Sequence, residues 1–142
     1  MKLEDLHTEA AIDAKIDQSD LATASIKRTE KTMKWLKYHS LESIEAKNLE
    51  KKLKVLYKNK WLYFNGKAPD EEYVRKPLDI KVLKCDVDMF IDADSEMIQG
   101  RLAVDIQQQK VAFIDQFIKN LNTQSFDIGH AIDFLKFKNG LG

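Results

Sequence analysis

Cysteine is all but absent from this chain. Cys85 stands alone among 142 residues, so no internal disulfide forms, and a reducing compartment is expected. Proline occurs twice and glycine five times, too few breakers for a sandwich or barrel with its many turns, which leaves long helices as the expectation. The glycines, at positions 66, 100, 129, 140 and 142, are too scattered for a phosphate-cradling P-loop. The three histidines, His7, His39 and His130, have no zinc spacing. No apolar run approaches the ~18 residues that span a bilayer, and the opening Met1-Lys2-Leu3-Glu4-Asp5-Leu6 has no signal-peptide core. A soluble intracellular protein of one domain, 1–142, is expected.

Net charge is also missing, because 23 basic residues balance 23 acidic ones. The balance is global and not local. Residues 31–60 hold nine lysines against three glutamates, an excess of +6. Charge segregated in this way forms either a basic face for a polyanion or simply a solvated helix. Within this region Lys54-Val55-Leu56-Tyr57-Lys58-Asn59-Lys60-Trp61-Leu62-Tyr63-Phe64-Asn65-Gly66 interleaves lysines with aromatics and stops at a helix-ending glycine. Ammonium groups neutralise phosphates and flat rings stack on unpaired bases, so the pattern suits single-stranded nucleic acid.

The periodicity predicts about five helices, with a possible short β segment near 79–91. The first eighteen residues read as an amphipathic helix, and Ser19 and Asp20 offer a cap for a second running to His39. A break at Ser40 precedes a third, from Leu41 to Phe64. There Leu49, Leu53, Leu56, Tyr57 and Phe64 share one side, while Lys47, Lys51, Lys54 and Lys58 form a stripe almost opposite. Trp61 flanks that stripe, where its indole meets a base or lies over lysine stems. Lys60 falls among the apolar positions, so either the helix loosens before Gly66 or the side chain points into a subunit boundary or pore.

Residues 66–77 read as a polar loop, and Ile80, Val82, Cys85, Val87 and Met89 alternate with charged residues at the period of a strand. Asp92, Asp94 and Ser95 cap a long helix to Asn122, in which Gly100 permits close approach of another helix. A last helix, from Ser125 to Lys138, is apolar nearly all round, more than one neighbour buries. The chain thus divides into helices with the nucleic-acid motif (1–66), a loop or short strands (67–94) and helices for self-association (95–142). Phe113, Phe117, Phe126, Ile128, Ile132 and Leu135 are the candidate interface residues.

No reaction is called for. Asp86, Asp88, Asp92, Asp94 and Glu96 mimic a calcium loop, but Phe90 occupies a ligand position and no glycine sits at the bend. His39 and Ser40, adjacent on a helix, do not face one another as a catalytic pair. His130, in an apolar segment, reads as a packing histidine. No metal or cofactor is expected.

With these residues assembled, the chain resembles the UvsY family of recombination mediators of T-even-type bacteriophages. The likeness rests on Met1-Lys2-Leu3-Glu4-Asp5-Leu6, on Lys34-Trp35-Leu36 with His39-Ser40, on the basic motif Tyr57-Lys58-Asn59-Lys60-Trp61-Leu62-Tyr63 with Gly66, and on Phe126, Ile128, His130, Asp133, Phe137 and Gly140. It is weak between Lys67 and Asp94. The resemblance implies a non-enzymatic accessory protein in the cytoplasm of an infected bacterial host. Such a protein binds single-stranded DNA and helps load a RecA-like recombinase onto DNA covered by a single-strand-binding protein, in recombination, repair and recombination-dependent replication. It also implies a ring-shaped homo-oligomer, a hexamer or heptamer.

In the family motif two basic residues two apart contribute to DNA binding, and they fall on Lys58 and Lys60. The second is commonly arginine, so lysine keeps charge and loses bidentate contact. Trp61 departs from the family's aliphatic residue, and its stacking role is read from the residue alone. Lys51, Lys54, Lys34 and Trp35 complete the expected strand-binding set. The rival reading is a helical oligomeric scaffold that binds only proteins.

Overall fold

The computed structural model describes residues 1–140, so the last two positions of the segment expected at 95–142 lie outside the described residues. Five α-helices follow in order: α1 (Leu3–Asp13), α2 (Leu21–Phe64), α3 (Asp70–Arg75), α4 (Val87–Asp92) and α5 (Ser95–Lys138). A 3-10 turn, Lys84–Asp86, leads into α4. There is no strand among the described residues, and no helix there is long and apolar enough to cross a membrane.

Both long helices, of 44 residues each, run through positions where a break was expected. No proline or glycine interrupts α2, and Ser40 donates its hydroxyl to the Leu36 carbonyl, 3.2 Å, within the helix. The polar stretch after Asn122 behaves alike. Thr123 Oγ1 donates to Lys119 O, and Ser125 Oγ donates to Asn122 O. Back-bonding of this kind satisfies small hydroxyls without ending a helix, so the helices expected at 95–122 and 125–138 are one.

The ends follow the local chemistry more closely. Asp20 accepts the Thr23 amide and hydroxyl ahead of α2, and Asp94 Oδ1 accepts the Glu96 and Met97 amides at 3.0 and 3.2 Å. Each carboxylate satisfies orphan N–H groups of a first turn. At the other end of α2, Gly66 takes φ +73° while Lys67 N donates to Leu62 O and Gly66 N to Tyr63 O. This is a Schellman ending, with glycine at the left-handed position.

Two packed units organise the chain. The first comprises Met1–Ser43 and α5 from Gln109 onwards. Leu6 and Ala10 of α1, Trp35 of α2 and Ile114, Phe117 and Leu121 of α5 form its core, with Tyr38, Phe113 and Ile118 packed against it. The carbonyls at the end of α1 are met by Lys31, bonded to Asp13 O and Lys15 O, and by Gln124, bonded to Ala14 O. A cation there opposes the negative end of the helix. The first helix ends at Asp13 instead of eighteen residues in, and beyond it the Ser19 amide donates to Asp17 Oδ1 in the turn that leads to α2. His130, expected to pack, is exposed.

The second unit is Ile44–Gln108. Val87, Ile91 and Met97 are its buried centre, and Leu53, Leu56, Phe64 and Val82 pack against them. A methyl group on Gly100 would stand 3.0 Å from Leu53 Cδ1 and 3.6 Å from Leu56 Cδ2, so the expected close helix approach is real. The alternation at 79–91 does not make a strand. Residues up to Leu83 carry no regular structure, and beyond them Val87 and Ile91, four apart, go into the core as one face of α4. The polar loop at 66–77 also hides a helix. Pro69 followed by Asp70, Glu71 and Glu72 places acids in the first turn of α3, where the helix dipole favours them.

Candidate nucleic-acid interface

In the second unit, the stretch of α2 after Ser43 divides its side chains as the periodicity predicts. Leu53, Leu56 and Phe64 pack inward. Lys47, Lys51, Lys54 and Lys58 are exposed, and among the described residues none of the four is held in an ion pair. Spaced by four, three and four, they follow one helical ridge with neighbouring Cβ atoms about 5–6 Å apart. Uncommitted ammonium groups in a row suit a run of phosphates, since no internal partner must be surrendered on binding.

Two aromatics border the ridge. Trp61 is 38% exposed, and Lys67 lies over its ring, 5.1 Å from the centroid. Tyr57, expected on the packed side, is exposed. Its hydroxyl donates to Asp88 Oδ1 at 2.9 Å, and that bond, with burial and the Asp88 charge, raises its pKa. Tyr63 is buried in place of Tyr57, stacked on Tyr73 at 5.2 Å and donating to Lys76 O. Tyr73 in turn donates to Tyr63 O and accepts the Ala68 amide. These bonds tie the segment after Gly66 back onto the end of α2.

Lys60 is turned the other way and is only 8% exposed. Its ammonium lies 3.3 Å from Asp94 Oδ2 and 3.3 Å from Glu96 Oε1. The helix does not loosen there, and the lysine sits among apolar neighbours because two carboxylates at the start of α5 receive it. A cleft of about 320 Å³, lined in part by Asn59, Lys60, Arg75, Lys76 and Glu96, opens beside it. The aspartates that mimic a calcium loop have separate occupations. Asp88 holds Tyr57, Asp92 pairs with Arg101 at 2.7 Å, and Asp94 caps α5 while it receives Lys60.

Lys34 and Trp35 belong to the first unit and do other work. Trp35 is fully buried, 4.4 Å from the Phe117 ring, and donates its indole N–H to Asp13 Oδ2 at 2.9 Å. A ring with no exposed face cannot stack on a base, so this expectation is corrected. Lys34 is half-buried and paired with Glu9, 2.8 Å, and Asp13. Burial alone would raise the Asp13 pKa. Hydrogen bonds from Lys34 and Trp35, with the charges of Lys34 and Lys31, outweigh it and hold the carboxyl low.

The candidate interface residues also sort by environment. Phe117 and Ile128 are buried within their own unit, and Phe113 and Ile132 are half-buried. Phe126 and Leu135 are exposed, joined by Phe134 and by Phe137 at 78%, neither of which the candidate set contained. The signal for both was in the sequence, as aromatics on an apolar terminal helix. A groove of about 350 Å³ lies among Ile16, Leu21, Ile128, Ala131, Phe134 and Leu135.

Comparison with known proteins gives the chain's kinship and fold. Residues 9–141 match the family described as "Recombination, repair and ssDNA binding protein UvsY". The recombination protein UvsY of Enterobacteria phage T4 is 24% identical over 140 residues, which covers 99% of both chains. Two crystal structures of the bacteriophage T4 recombination mediator protein UvsY share the fold. One, in lattice type II, superposes with a TM-score of 0.86 at 23% identity over 98% of each chain. The other, in lattice type IV, gives 0.83 at 22% identity over 97% of this chain and 99% of the T4 chain. At such identities the superposition speaks for the fold, and the family match over nearly the whole chain settles kinship: this chain belongs to the UvsY family of recombination, repair and single-stranded-DNA-binding proteins.

Proposed function

We propose that the chain is a recombination mediator that grips single-stranded DNA on the ridge formed by Lys51, Lys54 and Lys58, with Trp61 as a stacking platform, and acts without catalysing a reaction. The observation that carries the reading is the row of exposed, uncommitted lysines beside an exposed indole on one face of α2. Self-association of subunits into a ring, a hexamer or heptamer, multiplies a modest site through effective concentration. Exposed Phe126, Phe134, Leu135 and Phe137 supply apolar surface for that association. A strand held along such a ring is extended and bent, which loosens the resident single-strand-binding protein and presents backbone to a RecA-like recombinase.

The test is a titration of a fluorescent single-stranded oligonucleotide with wild type and Lys54→Ala/Lys58→Ala at several salt concentrations, after light scattering confirms equal oligomeric mass. Weaker binding with a salt slope reduced by ~0.7 for each phosphate no longer neutralised supports the reading. Equal, weak binding by both proteins would transfer the case to a scaffold that binds only proteins. A Phe126→Glu/Phe134→Glu variant that retains both large mass and tight binding would remove the assembly step.

A further inference from the structure

Position 60 carries a charge that the strand would not meet. Lys58 and Lys60 are two residues apart, about 200° around the helix at 3.6 residues per turn, so a strand lying along Lys58 runs on the other side of α2. The Lys60 ammonium is already compensated by Asp94 and Glu96, and the side chain of Asp94 is 4% exposed. Withdrawing Lys60 toward a phosphate would leave that buried carboxylate with its two amide hydrogen bonds and, as its one cation, the Lys76 ammonium 3.9 Å away, and removing the nearer partner of a buried ion pair is costly. The same carboxylate caps α5 through its other oxygen. One side chain therefore fixes the start of α5 and the last turns of α2 together.

Building on the strand-binding reading, we infer that Lys60 is a positioning residue: paired with Asp94, it sets the rotation of α2 at which Lys54, Lys58 and Trp61 face the strand, and it does not itself touch phosphate. The two possible roles of Lys60 make opposite predictions for its acidic partner. Asparagine caps a helix as well as aspartate, so Asp94→Asn keeps the cap and removes only the charge. If Lys60 is a phosphate ligand, this change frees it and binding tightens. If the pair positions the helix, binding weakens although a negative charge has been removed.

The experiment uses the full chain, an oligo-thymidine probe and a salt series, with Lys58→Ala as the reference for a phosphate left without its cation. Asp94→Asn and Lys60→Met are each expected to lower affinity about threefold to tenfold with an unchanged salt slope, and the double variant is expected to be no worse than either single one. Lys60→Arg should restore wild-type binding. Tighter or unchanged binding by Asp94→Asn, or a slope reduced by ~0.7 in Lys60→Met as in Lys58→Ala, would overturn the inference. Should the wild type fail to bind, or Lys58→Ala have no effect, the strand-binding reading itself falls. Amide hydrogen exchange at residues 57–64 then decides the local claim: faster in Asp94→Asn than in wild type upholds it, and equal rates reject it.

Discussion

The tripeptide Lys-Trp-Leu occurs twice on α2, at 34–36 and at 60–62, and the two copies are used differently. In both, the lysine turns inward onto two carboxylates, Glu9 and Asp13 for Lys34, Asp94 and Glu96 for Lys60. In the first the tryptophan follows its lysine inward and becomes the centre of a core. In the second it stands in solvent beside a row of lysines. Residue type therefore sets what each side chain can do, and the position of neighbouring helices decides which of its options is taken. Within the first unit α1 and α5 both supply apolar partners to Trp35, whereas Trp61 has Lys67 over its ring and open surface around it.

Substitution separates the copies most sharply at the tryptophans. Trp35→Ala should cost about 3–5 kcal/mol of stability, as expected for emptying a buried aromatic site, read by chemical denaturation. Trp61→Ala should leave stability within about 0.5 kcal/mol yet remove about 1–3 kcal/mol of single-strand binding, read by oligonucleotide titration. Equal losses of stability at the two positions would erase the distinction.

The lysines give a smaller effect with a clearer signature. Lys58→Ala should reduce the salt slope of strand binding by ~0.7, while Lys34→Ala should leave the slope alone and lower the melting temperature.

Acid sharpens the contrast further. The Asp13 carboxyl is held below its ordinary pKa of about 3.9 in the folded chain. Its contribution to stability is fully present above the ordinary value and is lost as pH falls through the lowered one. Thermal melts between pH 5 and pH 2 should therefore show an acid limb that is flatter in Asp13→Asn than in wild type. A limb unchanged by that substitution would mean the Asp13 pairings add nothing to stability.

What the sequence could disclose depended on the range of the interactions involved. The cap at Asp94, the Schellman ending at Gly66 and the lysine ridge are local, set within a few residues, and all were legible. Ser40 and the Asn122–Ser125 stretch misled because residues that favour helix ends can also sit within a helix when their hydroxyls bond back to carbonyls of the preceding turn, as Ser40 and Ser125 do here. The alternation at 79–91 misled because a two-residue period over so few residues does not exclude a buried i, i+4 pair, Val87 and Ile91. Lys60 was the hardest to place. Its partners are 34 and 36 residues away in sequence, and only the approach of α5, allowed by Gly100, brings them near.

The most direct test of the account is lysine acetylation, mapped by mass spectrometry with and without bound oligo-thymidine. Lys51, Lys54 and Lys58 should react readily in the free protein and be protected by the strand, while Lys34 and Lys60 react slowly in both states. Protection of Lys60 from a reactive free state, or a ridge that the strand leaves unprotected, would contradict the division of labour between the two copies.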